Sequence, residues 1–151
     1  MHWLNVPYIQ QSEVGWCLPA CAAMVAAYWQ QPILQADLAH WLGAQGIGVA
    51  SSRLVRLNQR GFQVVYGAGS LVELQGGLAQ NVPCILFVCT GELPYWRADT
   101  PHAVALVGLE GEQAHLLDPA VVQSPVSVSV GDLLLAWSHS DYTYAVLRPA
   151  A

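Results

Sequence analysis

Two thiols stand near the start of the stretch VGWCLPACAAMVAAYW, Cys17 and Cys21, one helical turn apart. The chain has five histidines, of which His102 opens the run HAVALVGLEGEQAHLLDP, and that run closes on Asp118. Thiol, imidazole and carboxylate can support nucleophilic catalysis when a base removes the thiol proton and a third group orients the base. They can equally be a core cysteine and a histidine satisfied by its neighbour. Spacing alone leaves both readings open.

Pro19 sets the register of the helix that carries the thiols. Proline is tolerated in the first helical turn and breaks the interior ladder, so the helix must begin close to Cys17. Cys17 then lies among the free N–H groups at the positive helix end, which favours a thiolate. Cys21, a turn further in among Ala, Met and Val, reads as core. Zinc is disfavoured: Cys17 and Cys21 have a usable spacing, but Cys84 and Cys89 lie five apart in the strand-like PCILFVC, on opposite faces. No cofactor or metal is expected.

His102 and Asp118 are expected to meet across a β-hairpin. A three-residue turn, Leu109-Glu110-Gly111, would place Leu106 opposite Ala114, Val104 opposite Leu116 and His102 opposite Asp118. One face then carries Val104, Leu106, Ala114 and Leu116, and the other the more polar Gln113 and His115.

The elements that must hold these residues follow from periodicity and punctuation. An extended arm is expected at 6–9 and helices at 17–29, 35–42, 52–59 and 70–80, the third ended by Gly61 and the last opened by Ser70 with Glu73. Strands are expected at 62–66, 83–89, 102–108, 112–118, 126–130 and 142–147, with a short helix at 132–137. Helices first and mostly strands later point to an α+β fold, N-terminal helices packed on a C-terminal antiparallel sheet. With no repeat, linker or charge block, one domain spanning 1–151 is expected.

Composition narrows the class. The chain is 54% hydrophobic and 10% charged, with net charge −5. It has five Arg and no Lys, which argues against a nucleic-acid partner, because phosphate neutralisation needs clustered positive charge. Arg53, Arg56 and Arg60 share a helical face, read as a solvated stripe or as a docking site for an acidic partner. The longest uncharged apolar run, Leu18 to Trp29, falls short of the roughly 20 residues a membrane span needs. The start, MHWLNVPYIQQSE, lacks the basic and apolar regions of a signal peptide. A cytoplasmic protein is expected, with reduced thiols and room for a homo-oligomer interface.

The phrases VPYIQQSEVGWCLPACAAMVAAYW and TPHAVALVGLEGEQAHLLDPA resemble the papain-like cysteine peptidases of the bacteriocin-processing type, the double-glycine leader peptidases. The resemblance spans nearly the whole chain and is loose between Gln30 and Gln80. It implies a papain-like fold, a peptide or protein substrate, Cys17 as nucleophile, His102 as base and Asp118 as its orienting acid. Gln11, six residues before Cys17, would supply the oxyanion-hole amide, with Gln10 as its less favoured neighbour. Leu18 stands where the family motif has Gly, and it would narrow the cleft beside the thiol. Trp16, Tyr95 and Trp96 lie beside the motif segments and are the candidate substrate-binding aromatics. The same triad could instead run deamidation or transpeptidation, and the same fold could serve as a peptide-binding module without turnover.

Overall fold

The computed structural model describes residues 2–122 and 124–151. Six antiparallel strands form one sheet in the order β1-β6-β2-β3-β4-β5. They are β1 (Phe62–Ala68), β2 (Cys84–Cys89), β3 (Pro101–Glu110), β4 (Gln113–Leu117), β5 (Val126–Ser129) and β6 (Thr143–Pro149). The helices are α1 (Cys17–Tyr28), α2 (Gln35–Leu42), α3 (Leu71–Ala79) and α4 (Val130–Ser138). The fold is α+β.

Helices cover both faces of the sheet, which explains the long apolar runs of the central strands. On one face α1 packs on Ile85, Phe87, Ala103, Ala105 and Leu117, with Leu38 and Leu42 of α2 completing the cluster. On the other, Leu74 of α3 and Leu133, Ala136 and Trp137 of α4 meet Leu86, Val104, Leu106, Ala114 and Leu116. An antiparallel sheet wetted on one face alternates polar and apolar residues, whereas one covered on both cannot. Hence β2 reads CILFVC, its first five residues buried. Residues 18–26 of α1 are buried all round, as a central helix should be.

The 3₁₀ segment Ser51–Gln59 takes the place of the third expected α-helix. Its period of three stacks side chains at i and i+3. Leu54 and Leu57 are thereby buried together, and Arg53 and Arg56 both reach the carbonyl end of α2. Arg53 donates to the Leu42 and Gly43 carbonyls at 3.2 and 3.0 Å, and Arg56 to the Trp41 carbonyl at 3.2 Å. Arg60 lies 4.3 Å over the Trp41 ring. Cations are favourable at a helix C-terminus. The arginine stripe therefore holds α2 in place.

The β3–β4 hairpin departs from its expected register. Glu110 pairs with Gln113, Leu109 with Ala114 and Gly108 with His115, around a two-residue turn of Gly111 and Glu112. Gly111 has φ 60°, as a two-residue turn with glycine in first place requires. The ladder then slips at Val107, beyond which Leu106 pairs with Leu116 and Ala105 with Leu117. The turn alone would put His102 and Asp118 on opposite faces, because a one-residue shift inverts every side chain. The bulge at Val107 restores the parity. Its carbonyl accepts a hydrogen bond from Leu4 N–H at 2.9 Å, so the N-terminal arm seals the irregularity. His115, expected on a more polar face, is fully buried beneath Trp3, the ring centroids 5.2 Å apart.

Candidate active site

The start of α1 is where the expected nucleophile sits. Cys17 is the first helical residue, with Trp16 as N-cap, so its own N–H has no intrahelical acceptor. Gly15 precedes them at φ +84°, and a Cβ there would lie 2.8 Å from Gly48 N and 2.9 Å from Gly46 O. Only glycine lets this turn press against the 46–48 loop. That close approach makes the loop one wall of a cleft whose floor is Cys17.

The cleft measures about 550 Å³, and Gln11, Cys17, Leu18, Trp96 and His102 line it together with Gly46–Val49. Val14 and Ile47, also in its lining, are strongly exposed at 83% and 100%. Trp16 and Tyr95 lie outside that lining among the described residues. Gln10 is exposed, and its carbonyl accepts from the Gln35 amide at 3.1 Å.

His102 is the second residue of β3, where that strand meets the N-terminus of α1. Its Nε2 lies 2.7 Å from Asp118 Oδ1, so Nδ1 is the ring nitrogen not engaged by Asp118. His102 is 8% and Asp118 0% exposed. Burial works against charge on His102, but the hydrogen bonds and charges of Asp118 and Cys17 outweigh it and push its pKa up to about 9. Burial likewise opposes a thiolate at Cys17. The hydrogen bond and charge of His102, aided by the backbone N–H groups of Ala103 and Leu18, still hold that thiol below its ordinary value. By contrast, burial pushes Cys21 well up, reinforced by the nearby Cys17 and Asp118.

Asp118 is a buried carboxylate with four donors. Oδ1 accepts from His102 and from Ala120 N–H at 2.9 Å. Oδ2 accepts from the Tyr95 hydroxyl at 2.7 Å and the Trp96 indole N–H at 2.9 Å. Burial alone would raise its pKa, yet the bond and charge of His102, with Trp96 and Ala120, keep it below its ordinary value. A charge can be buried when its hydrogen-bonding capacity is met in this way.

The N-terminal arm ties these groups together. Its described residues form no strand, yet Gln11 N–H donates to Pro119 O at 2.9 Å, and the Tyr8 hydroxyl donates to the Val121 carbonyl. Gln11 is therefore held one residue from Asp118. Its side-chain Nε2 donates to Glu13 O at 3.2 Å, which orients the amide and leaves a second N–H. Among the described residues its Oε1 is buried without a hydrogen-bond partner.

Sequence reasoning missed the roles of Tyr95, Trp96 and Ala120 around Asp118. It also missed the 46–49 wall of the cleft. Two donor-bearing aromatics just ahead of His102 were the available signal for the first. For the wall there was none, since its place depends on contact with Gly15.

Comparison with known proteins agrees with this architecture. The profile of the Peptidase_C39 like family matches residues 3–137. A crystal structure of a C39-like peptidase from Bacillus anthracis superposes with TM-score 0.78 at 18% identity, covering 100% of both chains. A double glycine motif protease from an AMS/PCAT transporter, crystallised in complex with the leader peptide, gives 0.77 at 20% identity, covering 98% of this chain and 94% of that one. The peptidase domain of Streptococcus ComA, a bi-functional ABC transporter involved in quorum sensing, gives 0.77 at 18% identity over 97% and 100%. No curated protein sequence matches the chain. The described residues include no helix long and apolar enough to cross a membrane. With the family profile extending over most of its length, the chain belongs to the Peptidase_C39 like family.

Proposed function

We propose that this chain is a cysteine peptidase that hydrolyses peptide bonds, with Cys17 as nucleophile, His102 as general base and acid, Asp118 orienting His102, and Gln11 completing the oxyanion hole. The observation that supports the reading is the buried His102–Asp118 pair, 2.7 Å apart, beside a cleft that Cys17 and His102 line together.

Asp118 accepts the Nε2–H of His102, so Nδ1 exchanges a proton with Cys17. The thiolate attacks the scissile carbonyl carbon, and the π electrons move onto its oxygen. That oxyanion takes hydrogen bonds from the Cys17 backbone N–H and the free Gln11 side-chain N–H. As the tetrahedral species collapses, the C–N bond breaks and His102 protonates the departing amine. Water, losing a proton to His102, then attacks the thioester; the carboxylic acid leaves and the thiolate returns. The relative crystallised with its leader peptide makes double-glycine leader peptides the first substrates to try, with Leu18 narrowing the cleft next to the thiol.

The test is alkylation by iodoacetamide at pH 6 with peptide mapping, alongside hydrolysis of such peptides. An ordinary thiol of pKa about 8.5 is nearly all protonated at that pH and reacts slowly. Cys17 is expected to alkylate at least about tenfold faster than Cys21, Cys84 and Cys89, and His102→Ala to remove the difference. Cys17→Ala is expected to abolish hydrolysis. Equal reactivity of the four thiols would refute the triad. Fast alkylation with a product one mass unit heavier and no chain cleavage would mean deamidation.

A further inference from the structure

We propose that Tyr95 and Trp96 are positioning residues for this reaction: together their two side-chain donors hold the Asp118 carboxylate in the orientation that fixes the His102 tautomer. The proposal rests on the Cys17–His102–Asp118 relay put forward above and gives these two aromatics a task other than substrate contact.

A carboxylate offers about four lone-pair sites. Those of Asp118 are taken by His102 Nε2, Ala120 N, Tyr95 Oη and Trp96 Nε1, at 2.7, 2.9, 2.7 and 2.9 Å. Indole N–H can only donate. Tyr95 acts as a donor as well, because burial and the adjacent carboxylate drive its hydroxyl pKa far up. Both donors on Oδ2 are therefore permanent, and protonating that oxygen requires displacing one of them. Asp118 is left as an acceptor for the Nε2–H of His102, which keeps Nδ1 turned toward Cys17.

Trp96 does more than Tyr95. Its ring meets the His102 ring edge-on, with centroids 4.9 Å apart and planes at 60°, and it also lines the cleft. One side chain thus touches the base, holds the acid and shields the pair from water in the cleft. Tyr95 acts from behind, outside the cleft lining. This division separates the variants: Tyr95→Phe removes a single donor oxygen, whereas Trp96→Phe removes a donor and part of a wall.

The test needs no substrate. The low-field proton resonance of His102 Nε2–H, assigned by its loss in His102→Ala, is followed against pH in ¹⁵N-labelled wild type, Tyr95→Phe and Trp96→Phe. Iodoacetamide alkylation at pH 6 is measured on the same samples. In the wild type the resonance is expected to persist until the pH falls below the ordinary carboxylate range. In each variant it is expected to be lost about one pH unit higher, since a hydrogen bond to a charged group has been removed. Tyr95→Phe is expected to keep fast Cys17 alkylation at pH 6, because Asp118 is still ionised there. An unchanged titration in both variants overturns the positioning role. Slow Cys17 alkylation in the wild type overturns the triad itself, and the two failures are told apart by that sample. Should Trp96→Phe fail to fold, Tyr95→Phe alone decides.

Discussion

As the proposed oxyanion donor, Gln11 must be both anchored and available. One N–H of its amide is taken by the Glu13 carbonyl at 3.2 Å, which stops the side chain rotating out of the cleft, and the second N–H is the donor that a developing oxyanion would meet. Replacing Gln11 by Ala removes that donor without touching the relay. The expected result is a fall in kcat of about 10²- to 10³-fold on a peptide substrate, with Cys17 alkylation at pH 6 unchanged. A parallel loss of alkylation would mean that Gln11 acts on the thiolate instead. Cys17 and Cys21 make the complementary point about environment. They are the same residue type one turn apart, yet His102 draws one pKa down while burial drives the other up.

Among the elements, the turn before α1 and the bulge in β3 do the placing. Gly15 lets the chain press on the 46–48 loop and then enter α1 at Cys17, so an added methyl group meets backbone atoms at 2.8 to 3.0 Å. Gly15→Ala is expected to destabilise the protein by about 1–3 kcal/mol in urea unfolding, since a non-glycine residue must adopt positive φ at a site with no room to relax. It should also slow alkylation of Cys17, as the helix start shifts against His102. Unchanged stability would show that the 46–48 loop yields easily. Gly108 plays the matching part at the bulge, where a Cβ would lie 2.9 Å from the His2 carbonyl and from the His115 ring. The N-terminal arm crosses the sheet there on its way to Gln11.

For the whole molecule, the site ties stability to pH. His102 has a folded pKa raised to about 9 above an ordinary 6.5. Its contribution is fully present below pH 6.5 and is lost as the pH rises through about 9. Asp118 has a lowered folded pKa, so its contribution is present above the ordinary carboxylate value and is lost as the pH falls through the depressed one. Tm is therefore expected to be highest between these limits and to fall on both sides. In His102→Ala the alkaline fall should flatten. An alkaline limb identical in wild type and His102→Ala would show that other groups govern it.

Much of this was legible in the chain itself, for identifiable reasons. Pro19 can stand only in a first helical turn, so the start of α1 at Cys17 followed from local sterics. The apolar runs of β2 and β3 marked them as strands, though their cover on both faces did not show in the sequence, and Ser70 marked the start of α3 by capping it through Glu73 N–H. The pairing of His102 with Asp118 was also anticipated, but through the wrong register. The hairpin has a two-residue turn and a bulge where a three-residue turn was expected, and the two differences cancel in parity. Only tertiary structure could decide that. A bulge at Val107 has no local signature, and it persists because Leu4, more than a hundred residues away, donates to its carbonyl. The same holds for the arginine stripe, whose purpose depends on the carbonyl end of α2, and for Tyr95 and Trp96, whose common target is Asp118. Local sterics and periodicity act over a few residues and are written in the chain. Which donor meets which acceptor across the sheet is settled only when distant buried polar groups such as Asp118, Tyr95 and Trp96 find partners together.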